Sequence, residues 1–144
     1  MSYVKIMIHL IWSTKNREAV IQTDLKDALL HHIKENSIQK GIFIDTMNCV
    51  SDHIYLLISW GSEQSISKVA QLLKGESSHW LNEQHVLKNK FEWQNDYFAI
   101  SVSESIIEIV REYIRNQEEH HRIKSFAEEY DEFMNKYGFK TIAE

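Results

Sequence analysis

His53 to Trp60 is the segment that most limits what this chain can become. It reads His-Ile-Tyr-Leu-Leu-Ile-Ser-Trp and lies between Ser51-Asp52 and Gly61-Ser62. A short apolar run with turn residues on both sides is a strand. Side chains two apart in a strand point the same way. Ile54, Leu56, Ile58 and Trp60 therefore share one face, expected to be the core face, and His53 and Tyr55 share the other. A histidine opposite an apolar stripe is either partly exposed or turned toward a second interface. Alone, it reads as a histidine at a hairpin end.

The flanking segments place that strand in a pattern. Residues 3–12 run apolar with β-branched and aromatic members and form a first strand. The polar loop Ser13-Thr14-Lys15-Asn16-Arg17 follows. Thr23-Asp24 is expected to cap a helix with Leu25, Leu29 and Ile33 on one face, ending near Lys40-Gly41. Residues 42–50 form a second strand, paired with 53–60 as a hairpin across Ser51-Asp52. Ser65 opens a helix with Ile66, Val69, Ala70, Leu73, Trp80 and Leu81 at helical spacing. After a loop with Lys88, Asn89 and Lys90, residues 97–102 form a fourth strand. Ser103 is expected to cap a third helix with Ile106, Ile107, Val110 and Ile114 on its apolar face. A polar helix is expected over residues 126–137.

The order β-α-β-β-α-β with a further helix is the ferredoxin-like α+β pattern. Its antiparallel sheet carries two helices on one face, leaving the other for a partner, a ligand or the third helix. A chain of 144 residues suits one domain with its own core. Residues 1–125 are expected to form it, with 126–144 as a helical tail. Proline is absent and glycines number four, so Asn, Asp, Ser and Lys must make the turns.

Charge and cysteine exclude some classes. The net charge is −5. Residues 101–144 hold 6 Lys and Arg against 10 Asp and Glu, so most of the acidic excess lies in the last third. A local basic groove remains open, whereas nonspecific coating of duplex does not. The lone Cys49 sits in an apolar stretch and reads as a small buried hydrophobe. The apolar start, Val4 to Trp12, is too short to span a bilayer. Lys15-Asn16-Arg17 follows it where a signal cleavage site would need small residues. The protein is therefore expected to be cytoplasmic, with no membrane partner.

One arrangement could carry chemistry. Tyr113 and Gln117 are four apart and adjacent on a helix, at the edge of the Val110–Ile114 stripe. Alone, they read as a boundary tyrosine beside a solvated glutamine. A phenol is a weak nucleophile near neutral pH, because its ordinary pKa is about 10. It becomes effective in line with a metal-polarised phosphate. An imidazole and an amide oxygen are reasonable ligands for Mg²⁺ or Mn²⁺. The pairs His31-His32 and His120-His121 are assigned no site, since adjacent helical residues diverge by about 100°.

Several segments together resemble the single-tyrosine transposases of the HUH superfamily, the TnpA-type enzymes of small insertion sequences and their REP-associated relatives. They are Ser13-Thr14-Lys15-Asn16-Arg17, Asp52-His53-Ile54-Tyr55-Leu56-Leu57, Lys74-Gly75-Glu76-Ser77-Ser78 and Trp93-Gln94-Asn95-Asp96-Tyr97. The most specific is Tyr113-Ile114-Arg115-Asn116-Gln117-Glu118-Glu119-His120-His121.

The resemblance implies cleavage of single-stranded DNA at transposon ends marked by hairpins. A tyrosine attacks the phosphate, leaving a 5′-phosphotyrosine and a free 3′-hydroxyl, and a second strand reverses the step. Carried over by motif, Tyr113 is the nucleophile. His53 and Gln117 are ligands of a divalent metal, Mg or Mn. Lys15, Arg17, Lys74 and Arg115 contact DNA. The implied assembly is a homodimer whose active sites combine the histidine motif of one chain with the tyrosine helix of the other. The chain departs from the family at Tyr55, which stands where a second histidine is expected and is a weaker metal ligand. Two alternatives stay open: a hairpin-DNA-binding protein without catalysis, and a ferredoxin-like dimer for a small ligand.

Overall fold

The computed structural model describes residues 3–61 and 63–119, together with 128, 131, 132 and 135. The tail helix expected over 126–137 lies largely outside these residues, and His120-His121 lies entirely outside them. Four strands form one antiparallel sheet: β1 (Met7–Ser13), β2 (Phe43–Cys49), β3 (His53–Ser59) and β4 (Phe98–Val102). Their order across the sheet is β2-β3-β1-β4. Among the described residues, α1 (Thr23–Gln39), α2 (Ile66–Glu83) and α3 (Ile107–Arg115) accompany them. The α+β architecture expected from the sequence is the one observed.

The two-residue period of β3 builds two cores, one on each face of the sheet. Ile54, Leu56 and Ile58 join Leu10 and Trp12 of β1 under Leu29 and Ile33 of α1 and Val69, Leu73 and Leu81 of α2. On the other face Tyr55 and Leu57 join Ile11 under Ile107, Val110, Tyr113 and Ile114 of α3. Burying each such aliphatic or aromatic side chain is worth roughly 1.5–3 kcal/mol. Every residue of β1 is consequently buried. His53 is turned to this second interface and is 2% exposed. It is not a surface histidine.

Register fixes what lies beside what. Ser13 of β1 pairs with His53, Ile11 with Tyr55 and His9 with Leu57. On the far side of β3, Asn48 of β2 pairs with Tyr55. The pairing of β2 slips between Ile44 and Thr46, leaving Asp45 as the extra residue of a bulge.

Some local expectations are corrected. Ser65 does cap α2, accepting a hydrogen bond from Lys68 N. Neither Thr23 nor Ser103 acts this way. Gln22 is the residue before α1 and makes no side-chain cap bond, and Ser103 precedes a 3-10 turn, Glu104–Ile106, also without one. Ser103 instead bonds the Ser105 hydroxyl at 3.1 Å. Gly41 ends the first helical segment as expected, with φ +69°, a conformation that costs glycine little. The third helix breaks at Asn116 before turning again at Gln117.

Candidate active site

Four side chains of the α3-covered face form a chain of ring contacts. His53 stacks on Tyr55 with centroids 6.3 Å apart. Tyr55 meets Tyr113 edge to face at 6.3 Å. Tyr113 in turn meets His9 edge to face at 6.0 Å. The histidine-motif strand and the tyrosine helix thus meet on this face of the chain.

His53 ends β3 at the hairpin turn, where Val50 N donates to His53 O at 2.9 Å. Its Nδ1 lies 2.9 Å from Asp52 Oδ1. In the neutral ring Nδ1–H donates to that carboxylate and the lone pair lies on Nε2. This is the usual way a carboxylate orients a metal-ligating imidazole.

Gln117 is fully buried. Its Nε2 donates to Tyr113 O at 3.1 Å. The two residues expected to stack do so, through an amide capping a carbonyl at the end of α3. Among the described residues, Gln117 Oε1 is buried with no hydrogen-bond partner. An orphaned buried acceptor is costly, and a cation would satisfy it. An imidazole and an amide oxygen are donor types that suit a divalent ion, and His53 and Gln117 would supply them. Among the described residues there is no group of three or more His, Cys, Asp or Glu placed to hold a metal. Tyr55 stands where the resemblance leads one to expect a second imidazole.

The cationic residues are placed in three different settings. Thr14 N donates to Asp52 O at 2.8 Å, which ties the loop carrying Lys15 and Arg17 to the His53 end of the sheet. Arg17 is exposed there, and Lys15 Nζ pairs with Glu92 at 3.0 Å. Arg115 is exposed at the end of α3 and pairs with Glu112 at 3.2 Å. Lys74 is elsewhere: it lies on α2, across the sheet from Tyr113. Its Nζ donates to Asn95 O at 2.9 Å and Asp96 O at 3.3 Å, and it sits 6.0 Å from the Trp12 ring centroid. Burial pulls its ammonium below the usual lysine value, and Asp96 partly opposes this. In this structure Lys74 fastens the loop before β4.

Two residues of this face were missed by sequence reasoning. His9 is 1% exposed, and burial pushes its imidazole down to about 3, so it is neutral. Asn48 is buried, and its Nδ2 donates to Ile114 O at 2.9 Å and Arg115 O at 3.3 Å. The alternation of β1 places His9 with Ile11, opposite Leu10 and Trp12, a signal that could have found it. Cys49 behaves as expected. It is fully buried, and desolvation pushes its thiol up to about 12, which rules out a nucleophilic thiolate.

A family model described as "Transposase IS200 like" matches residues 2–117. The ISDra2 transposase TnpA of Deinococcus radiodurans is 31% identical over 114 residues, covering 76% of this chain and 81% of that one. The transposase for insertion sequence element IS200 of Salmonella typhimurium is 25% identical over 114 residues, covering 76% and 74%. A crystal structure of a candidate transposase from Deinococcus radiodurans R1 superposes with a TM-score of 0.67 at 28% identity, covering 81% of this chain and 95% of that chain. A REP-associated tyrosine transposase bound to a REP hairpin shares the fold, with a TM-score of 0.63 at 16% identity, covering 84% and 72%.

Proposed function

The chain belongs to the IS200-like transposase family, and we propose that it cleaves and rejoins single-stranded DNA through a covalent bond to Tyr113. It is a DNA-binding transposase, and enzymes of this family are generally metal-dependent. The observation that carries the proposal is the approach of the Tyr113 ring to the His53–Tyr55 pair within one chain.

The Tyr113 oxygen attacks the scissile phosphorus, its proton leaves to solvent or to a base on the DNA side, and the 3′-oxygen departs. The product is a 5′-phosphotyrosine, and attack by another strand's 3′-hydroxyl restores a phosphodiester. A divalent ion, Mg²⁺ or Mn²⁺, would supply charge neutralisation at the phosphate when bound. His53, oriented by Asp52, and the Gln117 oxygen are the residues that would hold it. Tyr113 is 9% exposed, and a sheltered phosphotyrosine is protected from water until the second strand arrives. Lys15 and Arg17, beyond the His53 end of the sheet, hold the phosphate backbone, and Arg115 extends that track. A hairpin end of single-stranded DNA is the proposed substrate. Two such ends are two substrates, so a homodimer brings two sites to one reaction.

Tyr55 favours a second reading, a protein that binds hairpin DNA without cutting it. Incubation with a 3′-labelled hairpin oligonucleotide and Mn²⁺, followed by a denaturing gel, separates the two. Cleavage gives a protein–DNA adduct that Tyr113→Phe abolishes. Retention on a native gel with no adduct establishes the binder instead.

A further inference from the structure

The loop after β1 and the loop after α2 are stitched together beside the His53 end of β3. Lys15 N donates to Glu92 O at 3.0 Å and Gln94 N to Ser13 O at 3.0 Å, and Thr14 bridges to Trp93. Ser13 is the register partner of His53. From 90 to 93 the chain alternates: Phe91 and Trp93 are buried, whereas Lys90 and Glu92 are exposed. Asn82 fixes that alternation, its Oδ1 accepting from Phe91 N at 2.7 Å and its Nδ2 donating to Phe91 O at 3.1 Å. Between the two loops lies a groove of about 420 Å³, lined by Lys15, Asn16, Val86, Lys88, Asn89 and Lys90, with Glu92 at its edge.

Charge and backbone both mark this groove. Its walls, residues 14–22 and 86–92, hold Lys15, Arg17, Lys88 and Lys90 against Glu18 and Glu92, in a chain whose net charge is −5. The Glu92 carboxylate lies 3.0 Å from Lys15 Nζ. Lys15, and more weakly Lys90, hold that carboxyl below the ordinary glutamate value. An oxyanion therefore already sits where a DNA phosphate would meet two lysines. An exposed pair of this kind is weak and screened by salt, so a phosphate tethered to others on one strand can displace it. Among the described residues, the non-glycine residues with positive φ are Asn16 (57°), Arg17 (54°) and His85 (56°). Two stand in one wall, and the third directly precedes Val86, which opens the other. Such backbone costs energy and clusters where loops hold ligands. Val86 is 60% exposed, and the amides of Asn16 and Asn89 can donate to and accept from sugars and bases.

We propose that this groove takes the unpaired DNA strand running on from the scissile phosphate, with Lys88 and Lys90 holding its phosphates and Glu92 as an internal stand-in that a phosphate displaces from Lys15. The inference rests on the reading of the chain as acting on single-stranded DNA. It deepens that reading by giving the flanking strand a path of its own, separate from the hairpin. A narrow cationic groove follows one backbone and reads no sequence. Glu92 sets how tightly that strand is held, because it competes for the same ammonium.

The test compares two probes on native gels with the full-length chain: a hairpin oligonucleotide carrying unpaired extensions, and the same hairpin without them. The double variant Lys88→Ala/Lys90→Ala should weaken retention of the extended probe by about tenfold or more at low salt and reduce its salt slope by about 1.4, while the bare hairpin stays within about twofold of wild type. Glu92→Gln keeps the size of the side chain and removes the competing anion. It should act in the opposite sense, tightening the extended probe by about threefold or more. Equal weakening of both probes by the double variant, or no weakening of either, overturns the groove as the path of the flanking strand. Wild type that holds the two probes equally does the same. Unchanged or weaker retention of the extended probe by Glu92→Gln overturns the stand-in. If the double variant does not fold, the wild-type comparison and Glu92→Gln still decide. Wild type that retains neither probe refutes the DNA reading itself, and the groove with it, a result distinct from all of these.

Discussion

Lowering the pH should destabilise this fold through one residue, His9. Its imidazole is buried among Leu57 and Ile100, its partners in register, and the edge of Tyr113. Burial takes it from its ordinary value near 6.5 to about 3. Below about pH 6.5 the unfolded chain binds a proton here that the folded chain refuses. Stability is therefore lost as pH falls from about 6.5 toward 3, with a slope approaching about 1.4 kcal/mol per pH unit. Integrated from pH 7 to pH 5, the loss is about 2 kcal/mol. For a chain of this size that lowers the melting temperature by about 6–8 °C.

Carboxylates titrate in the same window, so the comparison must be with His9→Phe. That variant keeps an aromatic edge against Tyr113 and removes the proton site. Thermal or urea unfolding at pH 7, 6, 5 and 4 is the assay. Wild type should lose about 2 kcal/mol more than the variant between pH 7 and 5, with the two within about 1.5 kcal/mol of each other at pH 7. Parallel curves would show that the His9 ring is hydrated or charged in the fold, and that the face beneath α3 is not sealed.

Other perturbations address the site directly. Tyr55→His should tighten Mn²⁺ binding by about tenfold or more, measured by calorimetric titration, and raise the rate of adduct formation. Equal affinity in the two proteins would remove Tyr55 from the metal's surroundings. Lys15→Ala and Arg17→Ala should each weaken hairpin binding across sequences and reduce the salt slope of log K by about one, whereas Lys74→Ala should leave that slope unchanged, since its ammonium is occupied by Asn95 and Asp96 carbonyls. Ile114→Ala should cost about 2–5 kcal/mol of unfolding free energy, because Ile114 is fully buried beneath the sheet. A cost below about 0.5 kcal/mol would mean that α3 does not pack there.

The sequence announced the sheet where one face contrasted with the other. Residues 53–60 alternate a histidine and a tyrosine with an aliphatic stripe, so the separation of His53 and Tyr55 from Ile54, Leu56 and Ile58 was legible in advance. The apolar spacing of α3 likewise pointed to a buried stripe. β1 offered less contrast, because both of its faces are covered and all seven residues are buried. His9 therefore looked like one more member of an apolar run. Asn48 was hidden for a different reason: its partners, Ile114 O and Arg115 O, lie 66 and 67 residues away, and backbone carbonyls leave no mark in composition. Lys74 was placed by motif among the DNA contacts, and the carbonyls its ammonium meets belong to a distant loop. The unused caps at Thr23 and Ser103 show local propensity yielding to chain path, with extended residues just before each turn.

Tyr55 and Tyr113 are two phenols on one buried face, and only one of them is proposed to take the phosphate. Digesting the trapped protein–DNA adduct and identifying the DNA-bearing peptide by mass spectrometry decides between them. The account requires the 5′-phosphate of the cleaved strand on the peptide containing Tyr113. A link to Tyr55, a link through a 3′-phosphate, or scission with no covalent product would contradict it.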